Sequence, residues 1–317
     1  MAARSWWRRL RRATRGPRNA LLARSIHGAG RTLGALPPFL GLGIGRALGS
    51  AAYLVLARPR RLAVRHLAVA FPELDVRGRH RLARATFRHA GESFAELALW
   101  PRLAEQPEYV IVEGVAALDA AVAEGRGCIA VAAHVGNWEL LAAAVARRGY
   151  PLTVVARRVH EERFHHLIAR FRTGAGIEIL LREDPRFWHA VRDALRRGRV
   201  VALLIDQDTH GAGVFVPFFG RPAHTPPGAA LLALRGRVPV ITAFIQRRPG
   251  GGHLIRMAAV PLGERNGRGR VTELTARFTA AIEGQIRRAP AEWVWWHERW
   301  RRQPIRPETA SRVGDGQ

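Results

Sequence analysis

The chain has 317 residues, 48% of them hydrophobic, enough for one large domain with a sizeable core and an N-terminal appendage. Its single cysteine, Cys128, excludes an intrachain disulfide and frees the fold from any need for an oxidising compartment. The formal net charge is +26 and lysine is absent, so an all-arginine basic surface points to phosphate-bearing, anionic-membrane or acidic-protein partners.

Residues 1–32 carry arginine in clusters, with Trp6 and Trp7 beside Arg8, Arg9, Arg11 and Arg12. That mixture suits a lipid headgroup boundary. The stretch from Leu33 to Ala57 is apolar except for Arg46, and about 20 apolar residues suffice to cross a bilayer. Because a central arginine costs about 2.5–3.5 kcal/mol on insertion scales, the expectation is an embedded or interfacial anchor rather than a clean spanning helix. A pair of core helices packed on the main domain fits the same composition. A cleaved signal peptide is disfavoured, since the apolar region begins late and no cysteine-paired domain follows it.

The spacing of Leu82, Phe87, Phe94 and Leu97 predicts one long helix over Arg77–Leu99, with Pro101 just beyond its end. Strands are expected at Tyr109–Val112, Cys128–Ala133, Leu152–Ala156, Ile177–Leu181, Val200–Ile205, Pro239–Ile245 and Leu254–Val260. Helices are expected near Val115–Glu124, Trp138–Arg147, Glu161–Gly174, Phe187–Arg197, Gly228–Leu234 and Val271–Arg288. This alternation predicts an α/β fold with a mostly parallel central sheet flanked by helices. The expected organisation is a basic segment and apolar anchor at 1–57, one domain at 58–303 and a Pro/Gly/charge-rich tail at 304–317.

The segment Ala133-His134-Val135-Gly136-Asn137-Trp138-Glu139 follows the apolar run that ends at Ala133. Gly136 permits a tight bend and Asn137 can cap a helix starting at Trp138, so His134 falls on a strand-to-helix loop with Glu139 in the first helical turn. An imidazole near a carboxylate can take a proton from a hydroxyl. The same residues also describe a plain strand–turn–helix joint in which Asn137 caps and Glu139 favours the helix N-terminus. His134 lies at a strand's carboxyl end, where open α/β sheets place ligands, and Asp206 closes Val200–Ile205 in the same way. Asp206 can anchor a loop there, contact substrate or orient an arginine.

Four blocks resemble the bacterial lipid A lauroyl/myristoyl acyltransferases, a branch of the lysophospholipid acyltransferase superfamily. His134 and Glu139 match its H-x-x-x-x-D/E signature within H-x-G-N-W-E. Asp206-Gln207-Asp208 with Val214–Ala223, Trp296–Trp300 and Arg65–Glu73 match the others, although His66 stands where the family has asparagine. The resemblance spans most of the chain. It implies a glycerolipid-acyltransferase-like fold and transfer of a fatty acyl chain from acyl carrier protein to a hydroxyl of a lipid A precursor. On that basis His134 is expected as general base and Glu139 as the group that fixes its tautomer. Asn137, Arg157, Arg170 and Asp206 are expected on the substrate side, with Arg158 an alternative counterpart of Arg157. The implied location is the bacterial inner membrane with the site facing the cytoplasm and an anionic membrane surface as partner.

No metal or other cofactor is expected. His160-Glu161-Glu162-Arg163-Phe164-His165 spaces its histidines five apart, not the four that a zinc helix needs. Cys128 reads as core rather than nucleophile. Trp293, Trp295, Trp296 and Trp300 suit packing as well as lipid contact, and Phe215–Phe219 suits an acyl groove or core closure. Two further readings stand beside this one: acyl transfer to another glycolipid such as a phosphatidylinositol mannoside, and a non-catalytic basic protein binding membrane or nucleic acid. Arginines spread along the whole chain, with no nucleic-acid-binding signature, argue against a nucleic acid partner.

Overall fold

The computed structural model describes residues 32–158, 162–209, 211–263 and 269–304. The basic segment expected before residue 32 and most of the expected tail lie outside the described residues, as do His160 and Glu161 of the histidine-rich run. After a short helical stretch at residues 32–35 come α1 (Pro38–Val55), α2 (Ala57–Ala70) and α3 (Val76–Leu103). The α/β part follows as β1 (Val110–Glu113), α4 (Val115–Ala123), β2 (Cys128–Ala132), α5 (Trp138–Arg147), β3 (Leu152–Ala156), α6 (Glu162–Gly174), β4 (Glu178–Leu181), α7 (Phe187–Arg196) and β5 (Val200–Leu204). After β6 (Val214–Phe218), β7 (Arg221–Thr225), α8 (Gly228–Gly236), β8 (Val240–Arg247), β9 (His253–Ala259) and α9 (Arg270–Arg288), the chain makes a short 3-10 turn at Pro290–Glu292.

Seven strands form one sheet in the order β1-β9-β8-β2-β5-β3-β4, and only the β8–β9 pair is antiparallel. The expected α/β class with a mainly parallel sheet is therefore observed. Because side chains alternate along a strand, Ile129, Val131 and Ala133 enter one core with α7, α8 and α9, whereas Cys128 and Ala130 enter a second with α4 and α5. Burial on both faces accounts for the unbroken apolar runs of β2 and β5. Burial also pushes the Cys128 thiol up to about 12, consistent with a packing role.

Two features differ from the sequence reading. Residues 214–225 form a separate antiparallel hairpin, β6–β7, whose Phe218 and Phe219 are buried in the core with Trp293 and Trp295. Helix α3 also continues through Pro101 for a last turn, because Leu99 and Leu103 are both buried in the second core. Their burial outweighs the one helical hydrogen bond that proline removes.

Helix α1 packs lengthwise and antiparallel on α3. Its Gly41, Gly45, Gly49 and Tyr53 form the buried stripe, four residues apart. A Cβ on Gly49 would lie 2.2 Å from the Phe87 carbonyl oxygen, and one on Gly91 would lie 2.2 Å from that of Gly45. The backbones touch, so no side chain fits between them. Gly91→Ala is expected to lower stability by about 1–3 kcal/mol through overpacking. Gly43→Ala, which meets nothing within 4 Å, is expected to be neutral or mildly stabilising; thermal melts of both proteins check the contrast.

Candidate active site

Strands β2 and β5 are parallel neighbours with Ala132 opposite Leu204, so the residues that leave the sheet at their carboxyl ends emerge side by side. His134 and Asp206 meet there. Asp206 is 1% exposed. Its Oδ1 lies 2.9 Å from His134 Nδ1, while its Oδ2 accepts the His134 backbone N–H at 2.9 Å and the Trp293 indole N–H at 2.7 Å. Burial alone would raise this carboxyl, but the adjoining His134 imidazole and the three N–H donors outweigh it and bring it down to about 2. The ionised carboxylate can only accept, which places the imidazole proton on Nδ1. Nε2 then keeps its lone pair and faces the Gln207 side-chain amide nitrogen at 3.3 Å.

The expected pairing of His134 with Glu139 is replaced by this one. Glu139 sits in the first turn of α5 as its spacing predicts, yet its carboxylate takes a two-pronged ion pair from Arg172, Nε to Oε2 at 2.9 Å and Nη2 to Oε1 at 2.6 Å. It also accepts the Trp138 indole N–H at 3.1 Å, and the Trp138 ring meets the His134 ring edge-on at 5.0 Å between centroids. Glu139 thus reaches the imidazole only through a tryptophan. The turn between them is as expected: Gly136 has φ +65, a Cβ there would lie 2.1 Å from the Ile245 carbonyl oxygen, and Asn137 caps α5 at Leu140 N–H.

The residues expected on the substrate side fare differently. Asn137 is buried, its oxygen spent on the cap and its amide on Glu96 Oε2 and the Ser93 carbonyl oxygen, so it organises the loop. Arg157 lines the cavity rim with its side chain 58% exposed, 3.7 Å from Glu183. Arg158 is exposed beside it. Arg170 is exposed and lies outside the cavity lining; two residues on, Arg172 supplies the arginine in the wall. Asp206 holds the histidine from below.

A second buried carboxylate braces the same loop from the far side. Glu96 of α3 is fully buried and accepts from Tyr109 Oη at 2.7 Å, Asn137 Nδ2 at 2.8 Å, Arg247 Nη1 at 2.6 Å and His253 Nε2 at 2.7 Å. Burial would raise it, but His253 and Arg247 hold it far below the usual carboxylate range. The Arg247 backbone N–H in turn reaches both oxygens of Glu292 at 3.1 Å, and the Glu292 carbonyl oxygen accepts Gly136 N–H at 3.0 Å. The pattern of apolar runs carried no sign of this network, since Glu96 lies on α3, far along the chain from Arg247 and His253, which pair across the β8–β9 hairpin. Burial lowers the nearby His89 to about 3 and His297 to about 4, so both stay neutral in the wall.

These groups open on a cavity of about 1090 Å³ between α3, the sheet edge and the strap that follows α9. Its wall mixes His134, Arg172 and Asp208 with apolar surface from Phe94, Leu97, Leu203, Ile205 and Trp296. A long apolar chain and a polar reacting end are both accommodated. Phe215 is not part of this wall; Trp295 packs in the core, and Trp293 packs there too while lining the cavity. Asp208 pairs with His224 at 2.9 Å and with Arg301 at 3.1 Å, which ties the hairpin to the strap. Among the described residues, no group of three or more histidine, cysteine or acidic side chains could hold a metal ion.

The arrangement defines an α/β protein with an oriented imidazole at the mouth of a large, partly apolar cavity. The sequence model of the bacterial lipid A biosynthesis acyltransferases matches residues 14–302. The chain belongs to that family. It is 29% identical to the phosphatidylinositol mannoside acyltransferase of Mycobacterium tuberculosis over 204 residues, 63% of this chain and 62% of the relative, so that match leaves over a third of the relative's length uncovered. It is 24% identical to the lipid A biosynthesis palmitoleoyltransferase of Escherichia coli over 272 residues, 83% of this chain and 85% of the relative. Identity to the lipid A biosynthesis lauroyltransferase of the same organism is 26% over 279 residues, 82% and 85%.

Glu292 gives the site a pH signature. Burial, the largest cause, pushes its carboxyl up to about 7 from an ordinary 4.5. Between those values the native chain keeps a proton that the unfolded chain releases, so this contribution to stability is complete below about 4.5 and is lost as pH rises through about 7. Glu292→Gln is expected to flatten that fall. Urea midpoints at several pH values between the two check it, and equal slopes for both proteins would refute the assignment.

Proposed function

We propose that this protein is an O-acyltransferase that moves a fatty acyl chain from an acyl thioester to a hydroxyl of a phosphorylated glycolipid. The observation that carries the reading is the Asp206–His134 pair, which leaves Nε2 as the acceptor facing the cavity. His134 Nε2 takes the hydroxyl proton as the alcohol oxygen bonds to the thioester carbonyl carbon. The tetrahedral intermediate collapses, the carbon–sulfur bond breaks, and the imidazolium returns the proton to the thiolate sulfur. Asp206 remains ionised and holds the imidazolium. Backbone N–H groups in the first turn of α5 and the guanidinium of Arg172 stabilise the oxyanion. Glu139 fixes Arg172 and steadies His134 through Trp138. Neither Cys128 nor a covalent acyl-enzyme takes part.

Family membership favours a lipid A precursor as acceptor and acyl carrier protein as donor, the latter an acidic partner for a chain of net charge +26. The mannoside relative supports a second acceptor, a phosphatidylinositol mannoside. Thioester consumption by the purified full chain, with acyl carrier protein or coenzyme A donors and each acceptor in turn, separates these readings. Salt-sensitive binding to duplex DNA with no transfer would favour the non-catalytic class instead. His134→Ala and Asp206→Asn are expected to stay folded and lose about 10²–10⁴-fold in kcat. Glu139→Gln and Arg172→Met are expected to lose less, and the double variant no more than either alone, because both remove one ion pair. Wild-type kcat in His134→Ala would end this mechanism.

The location that fits is the face of the cytoplasmic membrane, with the site towards the cytoplasm. Helix α1 is long and apolar enough to cross a bilayer, yet its glycine stripe is spent along α3. Beside that stripe it exposes Phe39, Leu40, Ile44, Leu48, Leu54 and Val55, and the exposed Phe94 of α3 lines the cavity. Arg46, the charge that argues against spanning, contacts Glu92 of α3 at 3.3 Å. We place α1 in the plane of the interface, where its outer face meets acyl chains and the cavity mouth meets the lipid acceptor. Leu48→Glu with Val55→Glu is expected to abolish co-flotation with anionic vesicles while leaving the far-ultraviolet circular dichroism unchanged; undiminished flotation would move the contact elsewhere.

A further inference from the structure

Among the described residues, Gln207 is the polar group that a hydrogen bond links to the base on its reactive side. Its backbone is pinned from both directions, by Asp206 bonded to His134 and Trp293 and by Asp208 bonded to His224 and Arg301. The side chain lines the cavity and sets its amide nitrogen 3.3 Å from His134 Nε2. With the ring proton held on Nδ1 by Asp206, Nε2 offers a lone pair, and an amide N–H is the complement it needs. A separation of 3.3 Å marks a weak hydrogen bond. The amide therefore occupies the position that a reacting hydroxyl must take, and it can be displaced from it.

We propose that Gln207 is a removable cap on the general base, which keeps water from using His134 until a lipid alcohol arrives and so sets the partition between acyl transfer and thioester hydrolysis. This rests on the acyltransferase reading. An imidazole that deprotonates an alcohol deprotonates water equally well. In the hydrolytic side reaction the water oxygen bonds to the carbonyl carbon, Nε2 takes its proton, the carbon–sulfur bond breaks, and the proton passes to the thiolate, giving a fatty acid and a free thiol. A glycolipid brings binding energy from the rest of its contacts in the cavity and can spend part of it on moving the amide aside. A single water has only its own hydrogen bonds to offer. The cap is a positioning group: it acts through His134 and need not touch the acyl carbon.

The test uses the purified full chain as wild type, Gln207→Ala and Gln207→Met; methionine keeps the length and removes the donor. With an acyl thioester and a lipid A precursor, the ratio of fatty acid released to acyl chain transferred is expected to rise in both variants by about three- to tenfold, the worth of one neutral hydrogen bond. A second measurement needs no acyl transfer at all. Diethyl pyrocarbonate modifies an imidazole at an available lone pair, and the rate at His134, followed by peptide mass spectrometry, is expected to rise by a similar factor in both variants with melting temperatures unchanged. Equal modification rates in all three proteins overturn the cap, as does an unchanged hydrolysis-to-transfer ratio. A wild type that transfers nothing to any acceptor overturns the acyltransferase reading instead, and the modification rates still decide whether Gln207 covers the base.

Discussion

The buried carboxylate of Asp206 is the constraint on which the site depends. Three N–H donors converge on it: the His134 ring, the His134 backbone and the Trp293 indole. An unpartnered carboxylate in this position would be prohibitively costly, and charge-assisted hydrogen bonds are what make the burial tolerable. The three donors come from the end of β2 and from the strap after α9, while the acceptor sits at the end of β5. One side chain thus fixes the relation of two neighbouring strands to a segment almost ninety residues further along the chain. The direction of the imidazole and the position of its proton follow from that tie.

Glu96 repeats the device on the opposite side of the same loop. It brings a negative charge from the N-terminal helices into the sheet, where Arg247 and His253 meet it, and it holds Asn137 so that Asn137 can cap α5. The strap joins the two networks, because Glu292 binds Gly136 and Arg247 through its main chain and carboxyl respectively, and Trp293 binds Asp206. His134 is therefore held from below by one acid and from behind by another. Removing either acid strands buried donors, a larger loss than the net worth of the bonds themselves.

Much of this was legible from the order of residues, and the remainder was not for identifiable reasons. Apolar runs bounded by glycine gave the strands, and a histidine after one of them gave the location of the site. The partner of that histidine was expected from the H-x-x-x-x-D/E resemblance and from proximity in sequence, and both favoured Glu139. The sheet order β2-β5 brings Asp206 closer, and nothing in a linear chain states which strands are adjacent. Arg172 and not the expected Arg170 enters the cavity wall, a matter of rotation: two residues on a helix differ by about 200° of arc, so only the seating of α6 decides which one faces the cavity. The β6–β7 hairpin was missed because Phe215–Phe219 reads as a lone apolar run, and its partner strand Arg221–Thr225 carries charge and proline on its exposed side.

Helix α3 shows why its own sequence resists a simple amphipathic reading. One stripe, Thr86, Ala90, Ser93 and Leu97, lines the cavity. A second, Glu92, Glu96, Leu99 and Leu103, turns to the buried network and the second core. Between them Gly91 and Ala95 lie against the backbone of α1. Over the second half of the helix, three faces with three different chemistries leave little to water, and none is uniformly apolar. Such a helix cannot rotate to relieve strain without losing a face, so the seating of α1 on its outer side and the shape of the cavity on its inner side are set together. The apolar surface of α1 and the wall of the cavity are in this sense two sides of one rigid wedge, which accounts for an apolar exterior that leads directly, through Phe94, to the edge of the reactive site.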